Sequence, residues 1–201
     1  SRGLGDVYKR QEDKHFLDSL LFASQPEVAG KMVDVGAGAG FPGIVTKIFK
    51  PELELTLMEP TGKRVEFLKY ACAQLGLTGV EFAKERAEEA ARKIWREQFD
   101  VASARAVAAL PVLCEYCLPL VKVGGRFIAM KGPEADAEAK AAALVRKIHC
   151  HCKKNIFKRT VFSVFQRCIQ CERFEIKELP QCNHHIRKFS QMQPVQRILD
   201  F

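Results

Sequence analysis

Val33-Asp34-Val35-Gly36-Ala37-Gly38-Ala39-Gly40-Phe41-Pro42-Gly43 is the stretch that decides the fold: an apolar run meets four glycines within eight residues. Met32 to Val35 before it reads as a strand, and Ile44 to Phe49 after it as a helix. The loop is therefore expected at a strand-to-helix turn. Glycines there let the backbone come close to a ligand and take φ values that a residue with a Cβ resists. Free amide N–H groups and a helix N-terminus favour electron-rich ligand groups. A turn serving only packing needs fewer glycines, so the expectation is a site for a nucleotide-like cofactor.

Spacing alone leaves the cofactor open. Gly36-x-Gly38-x-Gly40 suits adenosylmethionine, whereas Gly38-x-Gly40-x-x-Gly43 also fits the dinucleotide fingerprint. Glu59 closes the next apolar run, Leu53 to Met58, and a carboxylate there can accept both ribose hydroxyls of either ligand. Its distance from the loop matches the acidic residue that the dinucleotide motif expects about 20 positions on.

Working outward, strand patterns at Met32–Val35, Leu53–Met58, Val80–Ala83, Asp100–Ser103 and Arg126–Met130 alternate with helical ones. The helices are expected over Lys63–Leu75, Ala87–Arg96 and Leu110–Leu120, with Gly76 ending the first and Gly124-Gly125 turning the chain into the fifth strand. This alternation predicts an α/β fold, a doubly wound, mostly parallel sheet with its ligand at the carboxyl ends of the strands. Glu134 to Ile148 is a strong helix former. Beyond it the pattern becomes ragged, with strands expected only at Thr160–Phe165 and Arg173–Leu179.

The 201 residues suit one principal domain, and no apolar stretch is long enough to span a bilayer. Cys72, Cys114 and Cys117 fall on apolar helix faces, as in a reduced, cytoplasmic protein. The net charge of +8 is uneven, with 13 Lys and Arg against 7 Asp and Glu in residues 134–201. Such an excess favours a polyanionic partner, though many basic proteins bind none.

Six segments together resemble one family: His15-Phe16-Leu17-Asp18-Ser19-Leu20; the glycine loop from Asp34 to Ile44; Gly62-Lys63-Arg64-Val65-x-Phe67-Leu68; Arg86-Ala87-Glu88-Glu89; Ala104-Arg105-Ala106-Val107-Ala108; and Met130-Lys131-Gly132. In this order and spacing they resemble the bacterial 16S ribosomal RNA guanine-N7 methyltransferases, also called glucose-inhibited division protein B. The resemblance implies a class I, Rossmann-like methyltransferase using S-adenosyl-L-methionine, acting as a monomer on 16S rRNA or the small ribosomal subunit particle. It implies cofactor contacts at Gly36, Gly38, Phe41, Glu59, Ala87, Glu88 and Arg105, with Ala87 and Glu88 bordering the adenine. It places Lys63, Arg64, Arg86 and Lys131 around the mouth of the cleft, where RNA would approach. Guanine N7 carries a lone pair and no proton, so no catalytic base is assigned. An NAD-dependent oxidoreductase is the alternative that the glycine spacing allows, and a catalytically silent remnant is the third reading.

Other residues carry blander expectations. His15 and Asp18 are expected to brace a helix over the cofactor, Trp95 and Phe99 to cover the core, and Lys122 and Arg126 to be solvated. Cys150-x-Cys152, Cys168-x-x-Cys171 and Cys182-x-His184 contain metal-ligand spacings. Their irregular intervals argue against a zinc site, and no metal is expected. The methyltransferase core is expected over residues 14–148. Residues 149–201 diverge from the family's ending, and residues 1–13 bear no likeness to its beginning. A truncated or frame-shifted translation, with both ends foreign to the fold, is the expectation.

Overall fold

The computed structural model describes residues 15–105 and 107–131, together with the backbone of Val161–Gln166. A helical segment at 15–23 (α1) leads into β1 (Lys31–Val35), α2 (Gly43–Phe49), β2 (Glu54–Met58), α3 (Gly62–Leu75) and β3 (Val80–Ala83). There follow α4 (Ala87–Ala90), β4 (Phe99–Arg105), α5 (Leu110–Cys117), a 3-10 turn (Leu118–Leu120), β5 (Val121–Lys131) and β6 (Val161–Gln166). The strands form one sheet in the order β3-β2-β1-β4-β5-β6, and each of these pairings is parallel. The expected α/β architecture is therefore present. Strand order reverses between β1 and β4, where sheets of this kind bind ligands.

Period-two alternation sorts the strand side chains onto two faces. Met32, Leu55, Leu57, Val101, Ile128 and Met130 pack with α1, α2 and α3. Val33, Val35, Ala102, Ala104, Phe127 and Ala129 pack with α4 and α5. Burial on both faces explains why the strands read as nearly continuous apolar runs. α3 ends at Gly76, as expected, with φ at +65°.

Two expected boundaries are corrected. The helix foreseen over Ala87–Arg96 stops at Ala90 and continues as turns, with Arg92 and Lys93 donating to carbonyls only three residues back. The chain has to reverse into β4 within a few residues, and Trp95 lies flat on Phe99 with ring centroids 5.7 Å apart. β5 begins at Val121, before the Gly124-Gly125 pair. Phe99 pairs with Val121 and Val101 with Arg126, so the glycines occupy an irregularity inside the strand. Lys122 at its edge is paired with Asp100 at 2.9 Å.

The strand expected at Thr160–Phe165 is present as β6, one residue displaced. The expectations for Glu134–Ile148, Arg173–Leu179 and the cysteine and histidine cluster lie outside the described residues. Among the described residues no helix is long and apolar enough to cross a membrane, and no cluster of potential ligands could hold a metal ion.

Candidate functional site

At the switch point a cleft of about 260 Å3 opens beside the carboxyl ends of β1, β2 and β3. Its floor is Val35, Gly36 and Met58, and one wall is Glu85, Arg86, Ala87 and Glu88. Val107, Ala108 and Tyr116 form the opposite wall, with Pro60 at the edge. An apolar slot with a few polar groups at its rim is how small-molecule sites are usually built. Gly36 has φ +69°, and a Cβ built there would lie 2.6 Å from a Val107 methyl. The loop and the far wall meet at this glycine, so a larger residue would close the floor.

The glycine loop bonds to its own protein more fully than its sequence implies. The Gly36 and Ala37 N–H groups donate to the Met58 carbonyl at 2.8 and 3.2 Å, and Gly40 N–H donates to the Ala37 carbonyl. Gly38 N–H donates to Glu59 Oε2 at 3.1 Å. At the start of α2, Gly43 N–H donates to Asp34 Oδ2 at 3.0 Å and Ile44 N–H to the Gly40 carbonyl at 2.8 Å. The expected array of free amides is thus corrected. Most of the loop's donors are already spoken for, and two carboxylates sit behind them.

Glu59 is 2 % exposed; its Oε1 also accepts from Thr61 N–H at 3.0 Å, and Arg64 lies 3.7 Å from Oε2. A carboxylate has about four lone-pair positions, so capacity is left for ligand hydroxyls. Asp34 is 1 % exposed and also accepts from Ser103 Oγ at 2.8 Å, tying β1 to β4. Burial pushes its carboxyl up to about 6, against the lowering effect of Ser103, Gly43 and Arg105.

Arg105, at the end of β4, stacks its guanidinium 5.3 Å from the Phe41 ring centre. Burial lowers its pKa, while Asp34 and Asp18 raise it. Its Nη1 is buried without a hydrogen-bond partner among the described residues. Phe41 is held in turn by α1, with Phe16 meeting it edge-on at 4.9 Å and His15 at 6.1 Å.

Of the residues anticipated for the cofactor, Gly36, Ala87 and Glu88 line the cleft. Gly38, Phe41, Glu59 and Arg105 stand behind or beside it as supports. Lys63 and Arg64 are exposed at the start of α3, and Arg86 is on the cleft wall, 3.9 Å from Glu88. Lys131 is only half exposed, and its Nζ donates to the Ala108 carbonyl at 3.0 Å. Sequence reasoning gave no wall role to Val107, Ala108 and Tyr116, the first two lying before α5 and the third near its end. It also missed Asp34 as an organiser. The available signal was a lone charge inside an otherwise apolar strand.

The sheet and its switch point define a doubly wound α/β protein. Solved structures narrow this to the class I methyltransferase fold. A predicted O-methyltransferase from Agrobacterium tumefaciens superposes with a TM-score of 0.58 at 15 % identity, covering 84 % of this chain and 96 % of that one. An adenosylmethionine-dependent O-methyltransferase from Thermotoga maritima gives 0.52 at 15 % identity, covering 66 % and 49 %. The model of a narrower family, rRNA small subunit methyltransferase G, matches residues 6–163, and the chain belongs to that family. The ribosomal RNA small subunit methyltransferase G of Alkaliphilus metalliredigens is 55 % identical over 128 residues, 62 % of this chain and 54 % of that one. That of Moorella thermoacetica is 50 % identical over 133 residues, covering 65 % and 55 %. The chain spans about half the length of these curated relatives.

Proposed function

We propose that this protein binds S-adenosyl-L-methionine and directs methyl transfer to N7 of a guanine in 16S ribosomal RNA, in the bacterial cytoplasm. One observation carries the choice of cofactor. The amides of the loop are bonded internally, and Asp34 and Glu59 lie buried behind them. A pyrophosphate requires free donors at a helix N-terminus, and the buried Asp34 carboxylate, which already takes the Gly43 N–H there, repels it. A cation is favoured in the same field. Sulfonium and ammonium groups suit this site, and the dinucleotide of an oxidoreductase does not.

The residues fit the cofactor in kind. The Gly36 floor and the Ala87–Glu88 wall would hold the nucleoside, Glu59 its ribose hydroxyls, and the unpartnered Nη1 of Arg105 a carboxylate. When bound, adenosylmethionine supplies an electrophilic methyl group. The chain's task is placement, because N7 offers a lone pair and no proton. Orientation of this kind supplies about 7–11 kcal/mol in the most favourable intramolecular reactions. Lys63, Arg64 and Arg86, exposed at the mouth, would meet RNA phosphates, and a base displayed in an unstacked loop could then enter.

The test is transfer of labelled methyl groups to small-subunit RNA lacking the modification, either free or in the assembled particle. Label at N7 of a single guanine is expected. Normal adenosylhomocysteine affinity without any transfer would instead identify a silent remnant.

A further inference from the structure

Lys131 is the last residue of β5, on the strand face that turns toward α5. Its neighbours Ala129 and Phe127 mark that face, since both pack with α4 and α5, whereas Met130 packs on the other side. From there the ammonium reaches the Ala108 carbonyl at 3.0 Å. Ala108 and Val107 form the cleft wall opposite Ala87 and Glu88, and Val107 bears on the Gly36 floor. Val107 and Ala108 lie in neither strand nor helix, so no regular ladder among the described residues fixes this wall. Val107 is 40 % exposed and gives it little buried apolar anchorage. A charge-assisted hydrogen bond onto the middle of such a segment is stronger than a neutral one.

We infer that Lys131 is a positioning residue of the cofactor cleft, holding the Val107–Ala108 wall in place through the Ala108 carbonyl. This differs from the RNA-contact role that the family resemblance implies for it. It rests on the cofactor reading above. Lys131 is distinguished from Lys63 and Arg86 by where its ammonium is directed. Lys63 is exposed, and Arg86 is paired among the described residues with Glu88 on the cleft rim, whereas Lys131 is turned inward onto backbone.

The experiment compares wild type, Lys131→Met, Lys131→Arg and Lys63→Glu by adenosylhomocysteine calorimetry, RNA binding at several salt concentrations, and hydrogen exchange of the 107–110 amides. Lys131→Met is expected to weaken adenosylhomocysteine about tenfold and to speed exchange at 107–110, with the salt slope of RNA binding unchanged. Lys131→Arg, which keeps a charged donor, should recover most of that affinity. Lys63→Glu should show the opposite division, a shallower salt slope with unchanged cofactor affinity. If Lys131→Met lowers the salt slope by about one phosphate contact and leaves cofactor affinity intact, the inference is overturned.

Should Lys131→Met fail to fold, Lys131→Gln, which is shorter and uncharged, decides. Weaker adenosylhomocysteine binding with faster exchange at 107–110 is expected, and unchanged affinity with a shallower salt slope would overturn the inference. Wild-type protein that binds no adenosylhomocysteine would sink the underlying reading. Wild-type binding matched by Lys131→Met would sink only this inference.

Discussion

Asp34 shows how one buried side chain organises the loop. It accepts from Gly43 N–H and Ser103 Oγ, so β1, α2 and β4 meet on a single carboxylate. Its carboxyl titrates at about 6 rather than the usual 3.8, because burial opposes the charged form. The folded state therefore holds the proton more tightly than the unfolded chain. Stability on this account is highest below pH 4 and is lost as the pH rises from about 4 to 6, by about 3 kcal/mol. Asp34→Asn should remove that component, so the difference in urea-unfolding free energy between variant and wild type should change between pH 4 and pH 7. A constant difference would contradict it. At Gly36, a Cβ would press on Val107 in a left-handed conformation. Gly36→Ala should cost about 1 kcal/mol in stability and weaken adenosylhomocysteine by tenfold or more, as measured by calorimetry.

Among the elements, α1 is the brace of the site. Phe16 is 2 % exposed and meets Phe41 edge-on, and Phe41 in turn carries the Arg105 guanidinium. Phe16→Ala should destabilise the protein by about 3 kcal/mol or more in thermal unfolding and loosen Arg105 with it. The element types were legible because β1, β2 and β4 are mostly buried and α3 and α5 each present an apolar stripe. Gly76 marked a helix end correctly because the chain there takes a positive φ. The misjudged ends have tertiary causes. Ala87–Arg96 has good helix propensity, but the need to return to β4 and the stacking of Trp95 on Phe99 override it after one turn. Gly124-Gly125 looked like a turn, yet the register between β4 and β5 absorbs it as an irregularity. In the site, Gly36, Ala87 and Glu88 were visible as motif residues. Val107 and Ala108 also fell within a family segment, but their role as a wall was not legible, since it comes from long-range contacts to Gly36 and Lys131.

For the whole molecule, the sheet brings two kinds of charge to one edge. Buried carboxylates lie beneath the glycine loop, while Lys63 and Arg64 at the start of α3 and Arg86 on the cleft wall are exposed. The inner field suits a cationic cofactor and the outer one a polyanion. Lys63→Glu should weaken RNA binding and reduce its salt slope by about one contact, measured by titration across salt concentrations. An unaltered slope would remove Lys63 from that surface. The strand order β3-β2-β1-β4-β5-β6 also serves dinucleotide enzymes, so the charge beneath the loop carries the distinction. Calorimetric titration of this chain with adenosylhomocysteine and, separately, with NAD tests that claim most directly. Saturable binding of adenosylhomocysteine with no heat from NAD is the predicted result. Binding of NAD with none of adenosylhomocysteine would contradict the account.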